Sequence, residues 1–174
     1  QKSILAYINY LLENDTNIRP SFIFGSDGGF YNEIRLKNIP CYITPLLRCT
    51  SYPLTLRNIV WWIYQLFFGL FFICKKIIKH KINLVHTNTI FNFQGAIAAK
   101  LMNKRHVWHC REDLSLPYFK FIISYKKIIK TMELLSDKII CISEIEARLF
   151  SNKSKVSIIY NTWQLSPNYT TKQR

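Results

Sequence analysis

Residues 82–110 read INLVHTNTIFNFQGAIAAKLMNKRHVWHC, and this stretch decides the fold. Two short apolar runs, at 82–87 and 106–110, are typical of buried strands. Asn92 can cap a helix that extends between them to about Asn103. The small residues of this helix would let it approach a sheet closely, and they are Gly95, Ala96, Ala98 and Ala99. Two strands joined by a helix predict a parallel β-α-β unit.

The same alternation continues on both sides of this unit. Further helices are predicted at 2–13, 30–37, 58–80, 118–135 and 143–150, and further strands at 20–25, 39–45, 138–142 and 156–160. Ser143 and Glu146 have the spacing of a capping box. Because the strands are apolar on both faces, they predict a parallel sheet with helices on two sides. The fold class is therefore α/β, a Rossmann-like doubly wound parallel sheet.

Composition narrows the class of protein. The 174 residues are 49% hydrophobic and 15% aromatic, which suits one folded domain and excludes a disordered chain. The five cysteines form no Cys-x-x-Cys pair and follow no signal peptide, so we expect a cytoplasmic location. The chain opens at Gln1, directly in helical pattern, which suggests a fragment of a longer protein.

Charge is distributed unevenly along the chain. The formal net charge is +14, and between Glu33 and Glu112 there are twelve basic residues and no acidic one. This predicts affinity for polyanions such as anionic lipid, nucleic acid or phosphorylated substrates. It also means that this stretch supplies no carboxylate for acid–base or nucleophilic chemistry.

Polar residues follow two neighbouring predicted strands, where open α/β sheets bind their ligands. His109 leads into Cys110, Arg111, Glu112 and Asp113, a cluster that could supply a base or bind a polar substrate. The alternative is a salt-bridged loop with a spectator histidine. The run His86-Thr87-Asn88-Thr89 suits a hydroxyl-rich substrate, or is simply a polar turn before a helix.

A metal site is not expected. His106 and His109 lie three apart on one predicted strand and so point to opposite faces, and with Cys110 they fit no zinc spacing. The sequence contains no helix-turn-helix, zinc-finger or RNP-type motif that would indicate nucleic-acid binding. The chain also lacks the Gly-x-Gly-x-x-Gly sequence that is typical of dinucleotide-binding enzymes.

The apolar run Ile59–Ile73 has 15 residues, fewer than the roughly 20 that a membrane-spanning helix needs. Two interpretations stay open: a helix buried against the sheet, or one that dips into a membrane surface with lysines at the headgroups. The segment 114–132 repeats the basic and aromatic pattern more weakly. The candidate membrane-surface residues are Trp61, Trp62, Lys75, Lys76, Lys126 and Lys127.

The ordered motifs resemble the N-terminal, acceptor-side domain of family-four retaining glycosyltransferases, which have the GT-B fold. The stretches that carry the resemblance are SDGGFYNEIRLKNIPCYITPL (26–46), INLVHTNT (82–89), GAIAAKL (95–101), VWHCRED (107–113), LLSDKIICISEIEARLF (134–150) and VSIIYN (156–161). Each motif is weak alone. The order and the intervals of the six, over nearly the whole chain, make the resemblance.

The resemblance implies roles for particular residues. His109 corresponds to the family's active-site histidine, near the sugar being transferred. The acceptor side would be lined by His86, Thr87, Asn88, Arg111 and Glu112, with Ser143 and Asn161 at the hinge or donor side. Thr162 stands where the family has glycine, and threonine resists the positive φ that glycine accepts.

The resemblance also implies which parts lie outside this chain. The family's first, central strand would precede Gln1, so its loss would leave an unpaired gap in the sheet. The half that binds the nucleotide-sugar would follow residues 1–163, with 164–174 as a polar tail or linker. We therefore expect this fragment alone to be inactive.

The expected activity is that of a hexosyltransferase-type enzyme in surface polysaccharide or glycolipid assembly, acting on a saccharide or lipid-linked acceptor. No Asp-x-Asp motif occurs, which suggests a nucleotide-sugar reaction without a metal cofactor. The expected location is the cytoplasm, peripherally on the inner face of the plasma membrane. The competing hypothesis is a non-catalytic basic α/β module that binds anionic membrane or polyanions.

Overall fold

The computed structural model describes residues 2–14, 17–47, 55–112 and 124–160. Its helices are α1 (Lys2–Glu13), α2 (Gly29–Leu36), α3 (Leu56–Lys79), α4 (Gln94–Leu101), α5 (Tyr125–Leu135) and α6 (Glu144–Arg148). Its strands are β1 (Phe22–Phe24), β2 (Cys41–Ile43), β3 (Leu84–Thr87), β4 (Arg105–Cys110), β5 (Lys138–Cys141) and β6 (Val156–Ile158). A short 3-10 helix, Lys153–Lys155, precedes β6.

Every strand pairing within these ranges is parallel. One sheet joins β1 to β2, and a second sheet has the order β3-β4-β5-β6. In the second sheet Val85 lies opposite His106, and Trp108 lies opposite both Thr87 and Ile139. The α/β class with parallel strands, predicted from the alternating apolar pattern, is confirmed.

The helices lie on two sides of the first sheet because neighbouring residues of a strand face opposite ways. Phe22 and Phe24 of β1 pack into a core with Ile8 of α1 and Ile34 of α2. Ile23, between them, packs into a different core with α3. The sheet is therefore doubly wound, with α1 and α2 on one face and α3 on the other.

The main core lies on one face of the second sheet. Trp108, Cys110, Ile139 and Cys141 of the strands are buried against residues of α4, α5 and α6, namely Ala96, Ile128, Ile129, Met132 and Ala147. The opposite face is less covered in the described part of the chain. Leu84 and His86 are exposed there, and Val107, His109 and Ile140 are half-buried.

The two sheets share a core instead of a hydrogen-bonded edge. No pairing joins β1 to β3 within the described ranges. Ile23 of β1 and Val85 of β3 pack with Ile73 and Ile77 of α3 and with Ala98 of α4. The described strands thus form two separate sheets, with no hydrogen-bonded pairing between β1 and β3.

Gln94, at the start of α4, fixes that helix against α3. Its Nε2 donates to the backbone oxygens of Gln65 (2.8 Å) and Leu66 (3.3 Å). Its Oε1 accepts from the backbone N–H of Leu47 (2.8 Å). Gly69 makes this contact possible, because a Cβ there would overlap both the Gln94 amide and the Pro45 oxygen. Three chain segments therefore meet at one buried glutamine.

Some predicted boundaries differ from the observed ones. Asn92 is not the N-cap of α4: Phe93 holds that position, and Asn92 Oδ1 accepts from the backbone N–H of Gln94 (3.1 Å). The helix predicted at 118–135 is described only from Tyr125 onward. The predicted tail and domain boundary near 163 lie outside the described residues.

Candidate functional site

Two histidines meet at the carboxyl end of the second sheet. His86 is the penultimate residue of β3, and His109 occupies the same position on β4. Their rings stack with centroids 5.6 Å apart and planes 10° from parallel. Both lie on the sheet face that the described helices leave partly open. The site is therefore a histidine pair at the edge where α/β sheets bind ligands.

Both imidazoles are held in the neutral form. Desolvation is the main cause that lowers the pKa of His109 to about 4, and nearby His86 and Arg111 lower it further. Desolvation and Arg111 likewise lower the pKa of His86. A neutral imidazole offers one N–H donor and one acceptor nitrogen. At neutral pH the pair can therefore exchange hydrogen bonds with hydroxyl groups and carries no charge of its own.

Two buried polar atoms near this edge have no partner among the described residues. They are His109 Nε2 and Asn88 Oδ1. Buried polar groups normally form hydrogen bonds, since leaving them unpaired costs about 1–3 kcal/mol each. Because both atoms lie at the ends of adjacent strands, they indicate a site that could bind a polar ligand.

Glu112 braces the loop between β3 and α4. Its carboxylate accepts from Thr89 Oγ1 (2.7 Å) and from the backbone N–H of Ile90 (3.1 Å). Trp108 Nε1 donates to the Thr89 carbonyl (2.7 Å) from the neighbouring strand. Glu112, expected to line the acceptor side, thus acts in this structure as a positioning residue for the loop that carries Asn88. Sequence alone gave no signal for the Trp108 contact.

Thr87 lies on the wrong face of the sheet for the acceptor-lining role expected of it. It is buried under α4, and its Oγ1 is 2.8 Å from Nε2 of His106. His106 in turn lies 3.2 Å from Ser136 Oγ through Nδ1, and its backbone N–H donates to Asp137 (2.7 Å). The prediction for Thr87 is corrected because strand residues alternate, so Thr87 cannot face the same way as His86. The expectation that His106 and His109 face opposite ways is confirmed.

Ser143 caps α6. Its hydroxyl accepts from the Glu146 backbone N–H (3.4 Å), and Glu146 accepts from the backbone N–H groups of Ile142 and Ser143 (3.0 Å each). The capping box predicted from the sequence is confirmed, and it occupies the Ser143 hydroxyl that the resemblance assigned to the hinge or donor side. Asn161 and Asp113 lie outside the described residues.

The candidate membrane-surface residues do not share one face. Trp61 and Lys75 are exposed on α3, whereas Trp62, one residue on, is half-buried. The Lys76 ammonium sits 3.4 Å from the centre of the Tyr42 ring, a cation–π contact that draws it toward β2. Lys126 and Lys127 are exposed in the first turn of α5. No group of three metal-ligating side chains occurs in the described ranges.

Comparison with known proteins gives similarity at the level of structure. No protein-family model matches the chain, and no curated protein matches it. HepE from Anabaena, solved in complex with UDP and glucose, superposes with a TM-score of 0.60 at 16% identity. MurG from Acinetobacter baumannii superposes with a TM-score of 0.58 at 13% identity.

The extent of these matches identifies the kind of unit. The HepE match covers 94% of this chain and 42% of HepE, and the MurG match covers 96% of this chain and 43% of MurG. This chain thus spans less than half the length of each. Identities this low establish shared fold and not shared chemistry. The chain has the α/β fold of one half of a GT-B glycosyltransferase.

Proposed function

We propose that this chain is the acceptor-binding half of a glycosyltransferase of hexosyltransferase type. The whole protein would move a sugar from a nucleotide-sugar to a hydroxyl acceptor, with retained anomeric configuration, in surface polysaccharide or glycolipid assembly. The observation that carries the proposal is the neutral His109, whose buried Nε2 has no partner in the described residues. The fold shared with HepE, which was solved with UDP and glucose, supports it.

In this proposal His109 hydrogen-bonds a hydroxyl of the sugar being transferred, and His86 and Asn88 bind the acceptor. The bond from the sugar's anomeric carbon to the diphosphate breaks, and its electron pair leaves with the diphosphate. The acceptor oxygen forms the new bond and gives its proton to the departing phosphate. Fixed positive charge stabilises the leaving group without an Asp-x-Asp metal site. Arg111 lies close enough to lower the pKa of both histidines, and we assign to it the positive charge that this half contributes to the site.

The first test is His109→Ala in a longer protein that includes the nucleotide-sugar-binding half. We expect kcat/KM for transfer from UDP-glucose, the first donor to try, to fall at least tenfold, because the variant removes the hydrogen bond to the transferred sugar. A matched control is His80→Ala, since His80 bonds Tyr42 at the far end of α3.

A fall of less than tenfold, a barrier change below about 1.4 kcal/mol, would remove the catalytic assignment of His109. The same assay in EDTA tests the metal-independent reaction, for which we expect unchanged rates. If the longer protein transferred no sugar from any nucleotide-sugar yet bound polyanions, the basic-module hypothesis would replace this proposal.

A further inference from the structure

The outward face of α3 is apolar and aromatic along most of its length. We define the α3 stripe as Val60, Trp61, Tyr64, Phe67, Phe68 and Phe71, all exposed, with Phe67 65% and Phe71 70% accessible. Trp61 stacks on Tyr64 (ring centroids 5.3 Å apart) and Tyr64 on Phe68 (5.4 Å). Contiguous exposed apolar surface of this kind marks an interaction site.

The other face of α3 is fixed to the protein. Gly69, Ile73 and Ile77 are buried, and Gln94 donates to the helix backbone at Gln65 and Leu66. By length and composition α3 could cross a membrane, and only 11% of its most apolar window is buried in the protein. A crossing would require lipid all around the helix and would break its packing against α4. The stripe is therefore suited to contact from one side.

The charges around the α3 stripe are all basic, which favours a negatively charged partner. Arg57 precedes it, and Lys75 and Lys79 follow it on exposed positions in the last turns of α3. No acidic residue occurs anywhere from 34 to 111. The α3 stripe, with basic residues at both ends, complements anionic lipid. The lipid headgroups would contact the basic side chains, and the aromatic rings of the stripe would enter the membrane interface. A second copy of the same basic face would be repelled.

We propose that the α3 stripe lies in the plane of an anionic bilayer, at the inner face of the plasma membrane. The described cysteines, Cys41, Cys74, Cys110 and Cys141, are all free thiols, which suits a reducing compartment. Membrane binding would stand even if the protein transferred no sugar, because it uses none of the residues of the histidine site.

The test is co-sedimentation of the whole chain with vesicles of phosphatidylcholine alone or with 30% phosphatidylglycerol. We expect binding to the anionic vesicles only, and at least tenfold weaker binding at high salt. Phe67→Ser/Phe71→Ser should weaken the binding at least tenfold. The control is Leu36→Ser, which removes an apolar side chain that is 84% exposed on α2, and this variant should bind as the wild type does.

Equal binding to neutral vesicles, binding to neither kind, or an unaltered Phe67→Ser/Phe71→Ser variant would overturn the proposal. Circular dichroism confirms that each variant is folded before its binding is compared. Sedimentation velocity tests whether a second copy of the chain binds the α3 stripe instead. A protein that forms a dimer and does not bind vesicles, and whose dimer is abolished by Phe67→Ser/Phe71→Ser, would assign the stripe to a second copy.

Discussion

His106 and His109 show how one strand serves stability with one face and the proposed site with the other. His106 is 1% exposed and sits among Thr87, Ser136 and Asp137. His109 is half-buried and stacks on His86. Alternation along β4 was enough to predict that they separate. Which face would be covered could not be predicted, because that depends on where α4 and α5 pack.

At the residue scale, the stability of the fold should depend on the protonation of His106. Desolvation, chiefly, lowers its folded-state pKa to about 4, against 6.5 in the unfolded chain. The unfolded chain therefore binds the proton more readily, and His106 favours folding fully above pH 6.5. This contribution is lost as the pH falls from 6.5 to 4, and we expect a decrease of about 2–3 kcal/mol in the free energy of unfolding.

Urea unfolding at intervals between pH 7 and 4 measures this decrease. NMR titration of the His106 ring assigns it, because the resonance should stay unchanged down to about pH 5. A ring that titrates near 6.5 in the folded protein would refute the depressed pKa. The same spectra report His109, which should also remain neutral at pH 7.

At the element scale, the packing of α3 against α4 depends on the absence of a side chain at Gly69. Gly69→Ala should lower the free energy of unfolding by about 1–3 kcal/mol, since the new methyl group meets the Gln94 amide and the Pro45 carbonyl. Gly29→Ala is the matched control, because open space surrounds a Cβ there and alanine favours helix α2. Chemical denaturation compares the two, and equal stabilities would show that α3 has room to shift away from α4.

Elements were predictable to different degrees. The extents of α1 and α3 follow from their apolar spacing, and the α6 capping box follows from the Ser143–Glu146 pair. The apolar run in α3 left both burial and membrane contact open, because a run that is apolar on nearly every side has no preferred face. The packing of Ile73 and Ile77 and the hydrogen bonds of Gln94 show which side of α3 is covered.

The positions of the candidate residues, as distinct from their roles, could be predicted in part. Polar residues at the ends of apolar runs pointed to His86, Asn88 and His109, because parallel strands end at a common edge. The inward turn of Glu112 and the burial of Thr87 were missed. The alternation rule alone could have separated Thr87 from His86. The Glu112 bonds to Thr89 and Ile90 join residues more than twenty positions apart, which no local pattern reveals.

At the scale of the whole molecule, this unit supplies less than half of the length of HepE or MurG. We expect the 174-residue chain alone to transfer no sugar from UDP-glucose to any acceptor, because the proposed nucleotide-sugar contacts belong to the other half. A radiolabel transfer assay with the purified chain tests this. Transfer by this chain alone would contradict the division of labour between halves.

The Gln94 contact also bears on how far a substrate can lie from the lipid. A four-residue connection, 80–83, joins α3 to β3, so α3 runs back along the sheet and its first turns extend toward the strand ends that carry the histidines. From Leu56 to Gln65 is about 14 Å of helix at 1.5 Å per residue. With α3 clamped at Gln65 and Leu66, the depth of the histidine pair above a bilayer that binds the α3 stripe would be constant. The domain would then hold the histidine pair at a fixed distance from the bilayer and favour acceptors whose headgroups reach that distance.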